Sequence, residues 1–132
     1  RVLVRNDSQE RKDFMKIAIP VETSDGLRSI VAGHFGHAPY YAFVDGKTKQ
    51  CAVVPNGSSH NGGDKLPPEW LFDEGVNVLI CNGLGARAIG LCTQLGIEVY
   101  ITEEQTVGES LGAFEAGTLT RAGSEDACAH EH

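Results

Sequence analysis

Residues 75–101, GVNVLICNGLGARAIGLCTQLGIEVYI, decide the fold class of this chain. Residues 76–81 form an apolar run with the length and composition of a strand that is buried on both faces. Residues 85–95 follow as a helix closed by Gly96, and residues 97–101 have the residue types of another strand. A strand, a helix and a strand in this order predict a right-handed crossover between parallel strands, and therefore an α/β fold.

The chain before this crossover predicts an antiparallel opening to the sheet. Lys16–Val21 (KIAIPV) and Tyr40–Asp45 (YYAFVD) are strand-like, and Pro20 indicates an exposed end or edge of the first strand. The Asp45-Gly46 pair predicts a tight primed turn into a third strand over residues 47–54.

Two more helices complete the order of elements. One starts at residues 67–72 with proline in its first turn, and one spans residues 106–116, with Thr106 and Glu109 in capping-box spacing. The resulting order, β-β-β-α-β-α-β-α, predicts a five-stranded mixed sheet with helices over its faces.

The composition is that of one globular domain with a substantial core. The chain has 132 residues, of which 41% are hydrophobic and 22% charged. Its net charge of −7 argues against nucleic-acid binding, which needs clustered Lys and Arg, and no basic amphipathic stretch indicates a membrane surface. Residues 1–14 carry seven charges before Met15, so we expect an N-terminal extension or an expression remnant there.

The four cysteines predict a reduced, cytoplasmic protein. Cys51, Cys81, Cys92 and Cys128 include no C-x-x-C pair, and the first three lie in apolar segments where a small core residue is expected. Because we recognise no signal peptide in this sequence, we expect a reducing cytoplasm, in which disulfides do not form.

The histidine loop, residues 33–39 (GHFGHAP), is the first candidate site. His34 and His37 lie three residues apart beside Phe35 and Gly36, and imidazole is the commonest metal-ligating side chain. Glycine would allow unusual backbone angles, so that main-chain amides approach a ligand closely. In the competing interpretation, one histidine packs at the edge of the core and the other is solvated.

The glycine turn, residues 82–85 (NGLG), is the second candidate. Gly83, Leu84 and Gly85 follow an apolar strand and open a helix, where free amides and the helix dipole attract an anion. Arg87 in the first turn of that helix would be unfavourable without an anion nearby. The competing interpretation is that the glycines serve tight packing of helix on strand. The spacing matches neither a dinucleotide fingerprint nor a phosphate loop.

Other histidines and a cysteine are weaker candidates. Cys128, His130 and His132 lie on a small, polar tail over residues 120–132, which we expect to be flexible and able to complete a soft-metal site. A disordered end or the stump of a purification tag is the alternative. His60 lies in a glycine-rich loop and is more simply explained as solvated.

Conventional catalysis has little support in this sequence. The predicted strand order resembles that of ribonuclease H-like nucleases, but Lys16–Val21 and residues 76–81 contain no carboxylate, which excludes a two-metal nuclease. There is no G-x-S-x-G elbow either.

The chain resembles the dinitrogenase iron–molybdenum cofactor biosynthesis family, which includes small stand-alone cluster carriers and the orange proteins of anaerobes. The matching stretches are residues 15–22 (MKIAIPVE), 31–45 (VAGHFGHAPYYAFVD), 56–63, 75–101 and 117–119 (GTL).

This resemblance implies a ribonuclease H-like three-layer domain over residues 15–119 without nuclease activity. It implies non-catalytic binding, carriage or storage of a metal–sulfur cluster: an iron–molybdenum cofactor precursor, or another sulfide cluster of molybdenum with iron or copper. His34 would be the principal ligand. The expected partners are donor and acceptor proteins of cluster assembly. The alternative is a regulatory module on the same fold that binds a nucleotide or another small molecule at the glycine turn.

Overall fold

The computed structural model describes residues 15–58 and 65–122. The expectations for residues 1–14, His60 and the tail beyond residue 122 lie outside the described residues. The strands are β1 (Lys16–Val21), β2 (Tyr40–Asp45), β3 (Cys51–Pro55), β4 (Val78–Cys81), β5 (Glu98–Ile101) and β6 (Thr120–Ala122). The helices are α1 (Pro67–Asp73), α2 (Ala86–Gln94) and α3 (Val107–Ala116), with a 3-10 turn at Gly26–Arg28.

The strands form one mixed sheet in the order β3-β2-β1-β4-β5-β6. Strand β4 pairs in parallel with both β1 and β5, whereas β1–β2, β2–β3 and β5–β6 are antiparallel. The predicted α/β class, the mixed sheet and the crossover through α2 are confirmed.

The prediction of five strands is wrong, because Thr120–Ala122 adds a sixth at the edge. Its register places Arg121 opposite Tyr100, and the guanidinium carbon lies 5.8 Å from the centre of the tyrosine ring. This short polar segment has no strand pattern of its own, so the sequence predicts only a tail there. The free edge of β5 supplies the pairing that makes it a strand.

Alternating side chains divide the core into two clusters, one on each face of the sheet. Cys92 of α2 and Leu71 of α1 belong to one cluster, and Val107 and Leu111 of α3 belong to the other. The helices therefore cover both faces, which gives three layers. The sheet contributes Ala18, Tyr41, Phe43, Leu79, Cys81 and Val99 to the first cluster, and Ile17, Ile19, Val21, Ala42, Val44, Val78 and Ile80 to the second.

Pro20 does not mark an exposed end or an edge strand, contrary to the sequence prediction. It is buried, and β1 is an interior strand. The pairs between β1 and β4 are at Ile17 and Ala18, and near Pro20 the segment that follows the 3-10 turn lies beside β1 instead. Ala32 N donates to Pro20 O at 2.8 Å. The N–H and C=O of one strand residue point the same way, so the proline nitrogen faces this segment and removes no bond to β2.

The turn between β2 and β3 is longer than the predicted two-residue turn. Asp45 Oδ1 accepts hydrogen bonds from the backbone N–H of Lys47 at 2.8 Å and of Thr48 at 2.9 Å. The chain leaves this turn through Lys49, which has a φ of 65°. The aspartate side chain organises a longer loop by bonding backbone amides, so the hairpin is present but its tight turn is wrong.

Helix α3 begins as the sequence predicts. Thr106 Oγ1 accepts from Glu109 N at 3.2 Å, and Glu109 Oε1 accepts from Thr106 N at 3.2 Å. The helix ends at Gly117, whose φ of 76° suits glycine.

Candidate functional site

The histidine loop and the glycine turn lie at the same edge of the sheet. The loop enters β2 at Tyr40, which pairs with Val21 at the carboxyl end of β1. The glycine turn follows Cys81 at the carboxyl end of β4. Because β1 and β4 are parallel, these two ends share one edge. Ligands of open α/β sheets bind beyond the carboxyl ends of the strands, so the two candidate segments occupy the expected place.

The histidine loop is anchored through its central residue. The Phe35 side chain is buried, and its ring meets the ring of Tyr41 edge-on at 6.3 Å between centroids. The Tyr41 hydroxyl donates a 2.6 Å hydrogen bond to Phe35 O. His34 and His37, on either side of this anchor, are both exposed. Neither imidazole is a core residue, so the structure does not show the interpretation in which one of them packs at the core edge.

Asn56, just after β3, also bonds to the histidine loop. Its Nδ2 donates to Ala38 O at 2.8 Å and to Gly36 O at 3.2 Å. Its backbone N–H donates to Pro39 O at 3.0 Å, and its Oδ1 accepts from Ser58 N at 2.9 Å. Sequence reasoning missed both Asn56 and Tyr41 as site residues. Each lies inside a stretch that carries the family resemblance. The sequence does not show, however, that Tyr41 bonds to Phe35 or that Asn56 bonds across 18 residues to Ala38.

The glycine turn leads into a helix start that has no side-chain cap. The N-cap of α2 is Gly85, which has no side chain to accept from the first turn, and the first turn holds no acidic residue. Arg87 is exposed at the second helical position. The helix start therefore combines the positive end of the helix dipole with a guanidinium, an arrangement that favours an anionic ligand.

Neither backbone angle nor packing explains the glycine at three positions of these segments. Gly33, Gly83 and Gly85 do not have positive φ, and a Cβ at any of the three would meet no atom of the described residues within 4 Å. The expectation that glycine supplies an unusual backbone angle to the histidine loop is wrong at Gly33. The alternative that the glycine turn serves tight helix–strand packing is not supported either, since a methyl group would point into open space.

The two segments share the cluster of buried residues beneath them. Phe35 belongs to this cluster together with Cys81 and Cys92, and Leu84 packs against it. The backbone N–H of Gly83 lowers the pKa of the Cys81 thiol, against the larger raising effect of burial. Burial raises the pKa of Cys81 and of Cys92 to about 12, so both thiols are neutral and unreactive.

Burial also acts on the phenol that anchors the histidine loop. Desolvation, with smaller contributions from Cys81 and Cys92, raises the pKa of Tyr41 far above its usual range. The hydroxyl therefore remains a hydrogen-bond donor. Cys51, by contrast, is only partly buried on the edge strand β3.

The other predicted ligands are not tested by this arrangement. His60, Cys128, His130 and His132 lie outside the described residues. Within residues 15–58 and 65–122, no group of three or more His, Cys, Asp or Glu side chains is arranged to hold a metal ion. The same part of the chain contains no helix long and apolar enough to cross a bilayer.

The fold and the site together define a class of protein: a small three-layer α/β domain that presents imidazoles and an uncapped helix start at the carboxyl edge of its sheet. Residues 15–117 match the model of the dinitrogenase iron–molybdenum cofactor family. The chain belongs to this family. Membership indicates a role that is related to the iron–molybdenum cofactor and to cluster binding.

Solved structures and a curated relative resemble the chain over most of its length. The apo form of the orange protein from Desulfovibrio gigas has a TM-score of 0.73 at 27% identity and matches 83% of this chain and 93% of that one. A Thermotoga protein described as a NifB candidate has a TM-score of 0.68 at 32% identity, over 82% and 93%. An uncharacterised protein of Methanocaldococcus jannaschii is 26% identical over 113 residues, 82% of this chain and 92% of the relative.

Proposed function

We propose that this protein binds and carries a preassembled, anionic metal–sulfur cluster without catalysing a reaction on it. The cargo is an iron–molybdenum cofactor precursor or another molybdenum-containing sulfide cluster. Family membership and the likeness to the orange protein support the cluster class. The observation that carries the proposal is the placement of the exposed histidine loop and the uncapped start of α2 at one edge of the sheet.

The chemistry of such a cargo suits this set of groups. A sulfide cluster brings most of its own ligands, so the protein needs to add few. A neutral imidazole binds borderline and soft metals, and we assign His34 as the principal ligand with His37 as a secondary contact. The amides at the start of α2 and the Arg87 guanidinium would complement the negative charge of the sulfides.

Open space at the glycines supports the same assignment. Gly33, Gly83 and Gly85 lie on the two segments that would face the cargo, and none has a neighbour within 4 Å of a Cβ. A side chain there would occupy the space through which a bulky cluster approaches the main chain. The net charge of −7 does not oppose this, because the local field at the site decides the affinity.

Reconstitution with tetrathiomolybdate under anaerobic conditions tests the ligand assignment. Wild-type protein should retain molybdenum and visible absorption after desalting, and His34→Ala should lose both. Full retention by His34→Ala would show that His34 is not the principal ligand.

A charge-matched pair of variants tests whether the start of α2 attracts the anion. Arg87→Ala and Lys47→Ala each remove one cation, but Lys47 lies in the turn after β2, at the opposite edge of the sheet. Arg87→Ala should weaken tetrathiomolybdate binding severalfold, whereas Lys47→Ala should leave it unchanged. Equal losses would mean that net charge, and not the start of α2, attracts the anion.

The uncapped start of α2 also favours a second candidate, binding of a phosphorylated ligand by a regulatory module. A nucleotide at about 100 times its Kd would stabilise the folded protein by roughly 2.7 kcal/mol. A thermal-shift screen of common nucleotides measures this directly. The cluster proposal predicts no such shift and does not depend on one.

A further inference from the structure

Asn56 is a buried asparagine directly after β3 whose side chain and backbone both bond to the histidine loop. Only 3% of its surface is exposed. The carboxamide nitrogen reaches the carbonyls of Gly36 and Ala38 at 3.2 and 2.8 Å, and the backbone N–H reaches Pro39 O at 3.0 Å. The carboxamide oxygen is occupied by Ser58 N at 2.9 Å, which fixes the orientation of the amide group.

These bonds turn the carbonyls of the histidine loop toward the protein interior. The Tyr41 hydroxyl binds Phe35 O from the same buried side, so four carbonyls of the loop, at residues 35, 36, 38 and 39, accept from Tyr41 or Asn56. A carbonyl oxygen is the negative end of its peptide dipole. Holding these four oxygens inward keeps their partial negative charges off the outer side of the loop, where His34 and His37 are exposed.

We infer that Asn56 is a positioning residue for the histidine loop, an inference that rests on the proposed binding of an anionic cluster. It touches no cargo. It fixes the loop so that the imidazoles, and not carbonyl oxygens, face an anion, and it spares the cargo the entropic cost of ordering the loop. Tyr41 performs the same task at Phe35, and the segment after β3 thereby becomes part of the site.

The decisive variant is Asn56→Asp, which keeps the shape of the side chain. A carboxylate can still accept from Ser58 N, but it cannot donate to Gly36 O or Ala38 O and would repel both. Thr102→Val is the matched control. Thr102 is also buried, directly after β5. Its hydroxyl bonds Ser110 Oγ of α3 at 3.0 Å and accepts from Glu104 N at 3.1 Å, and α3 packs on the other face of the sheet from Tyr41. Both variants lose buried hydrogen bonding, but only the first loses bonds to the histidine loop.

Two readouts separate positioning from stability. Backbone ¹⁵N order parameters of residues 34–38 should fall from about 0.85 to below about 0.6 in Asn56→Asp, while those of β1 stay unchanged. Tetrathiomolybdate affinity, corrected for the folded fraction, should fall at least tenfold in Asn56→Asp and less than twofold in Thr102→Val. Should Asn56→Asp fail to fold, Tyr41→Phe removes one anchor while keeping the ring, and the same loss of order is expected around Phe35.

Each outcome bears on a different claim. Unchanged order parameters in Asn56→Asp, or equal losses of affinity in the control, would overturn the positioning role. Wild-type protein that takes up no tetrathiomolybdate would instead refute the proposed function, and with it the claim that Asn56 serves an anionic cargo.

Discussion

Gly83→Ala should not destabilise the protein, although Gly83 lies in the short connection between β4 and α2. Its φ is not positive, and in the described part of the chain an added Cβ would meet no atom within 4 Å. Alanine at a compatible glycine position restricts the unfolded chain, and this stabilises proteins by about 0.4–1 kcal/mol. We therefore expect urea denaturation to give an unchanged or slightly higher free energy of unfolding.

Gly57→Ala is the contrasting variant, because that glycine is required by packing. A Cβ at Gly57 would lie 2.5 Å from Trp70 Nε1 and 2.8 Å from Trp70 Cε2. The indole itself is held by Tyr41 at 5.4 Å and Phe43 at 5.8 Å between ring centroids, so it cannot shift without disturbing the core. Overpacking of this kind costs about 1–3 kcal/mol. Trp70 is the single tryptophan of the chain, so its fluorescence reports the disturbance.

Tetrathiomolybdate binding by Gly83→Ala tests whether the glycine turn belongs to the site. The methyl group of Gly83→Ala would project into the space assigned to the cluster, so tetrathiomolybdate affinity should fall while stability does not. A destabilisation of more than about 1 kcal/mol in Gly83→Ala would refute the reasoning, since packing would then explain the glycine. Unchanged binding in a stable Gly83→Ala protein would remove the glycine turn from the site.

Three further predictions concern stability. Ser58→Ala should be neutral or stabilising by up to about 1 kcal/mol in urea denaturation, because the buried Ser58 hydroxyl has no hydrogen-bond partner in the described structure; a clear loss would show that it has one. Thr106→Ala removes the N-cap bond to Glu109 N and should cost about 1 kcal/mol, whereas no loss would mean that the cap adds nothing to stability. The pKa values of Cys81 and Cys92 are about 12 in the folded protein against an ordinary 9.0, so the protonated thiols favour the fold. The stabilisation by the two neutral thiols is complete below pH 9 and declines as pH rises toward 12, by up to about 1.4 kcal/mol per pH unit for each thiol. A free energy of unfolding that does not change over this pH range would contradict the burial argument.

Strong local patterns made most of the fold predictable. The apolar β4, the helix closed by Gly96 and the capping box at Thr106 each depend on neighbours in sequence, and the structure confirms them. Pro20, the turn after Asp45 and the sixth strand depend on pairing or side-chain bonds that the local pattern does not contain. A tertiary partner decides the conformation at Pro20 and at the sixth strand, whereas the turn after Asp45 is decided by bonds from its own side chain to nearby amides.

The exposed residues of the candidate site could be predicted from the sequence, but the buried residue that bonds to the histidine loop could not. The two histidines and the glycine turn stand out by residue type, and topology places them at one edge. Asn56 is distant in sequence from the carbonyls that it binds, by 18 residues in the case of Ala38. An asparagine in a polar loop carries no sign that it will be buried, so this role became visible only in three dimensions.

Metal and sulfide analysis, with a visible absorption spectrum, of the protein purified anaerobically from its native cells tests the central claim most directly. The proposed function predicts molybdenum and inorganic sulfide that co-purify with the protein and give absorption bands in the visible range. A colourless, metal-free protein that also fails to take up tetrathiomolybdate on reconstitution would contradict it.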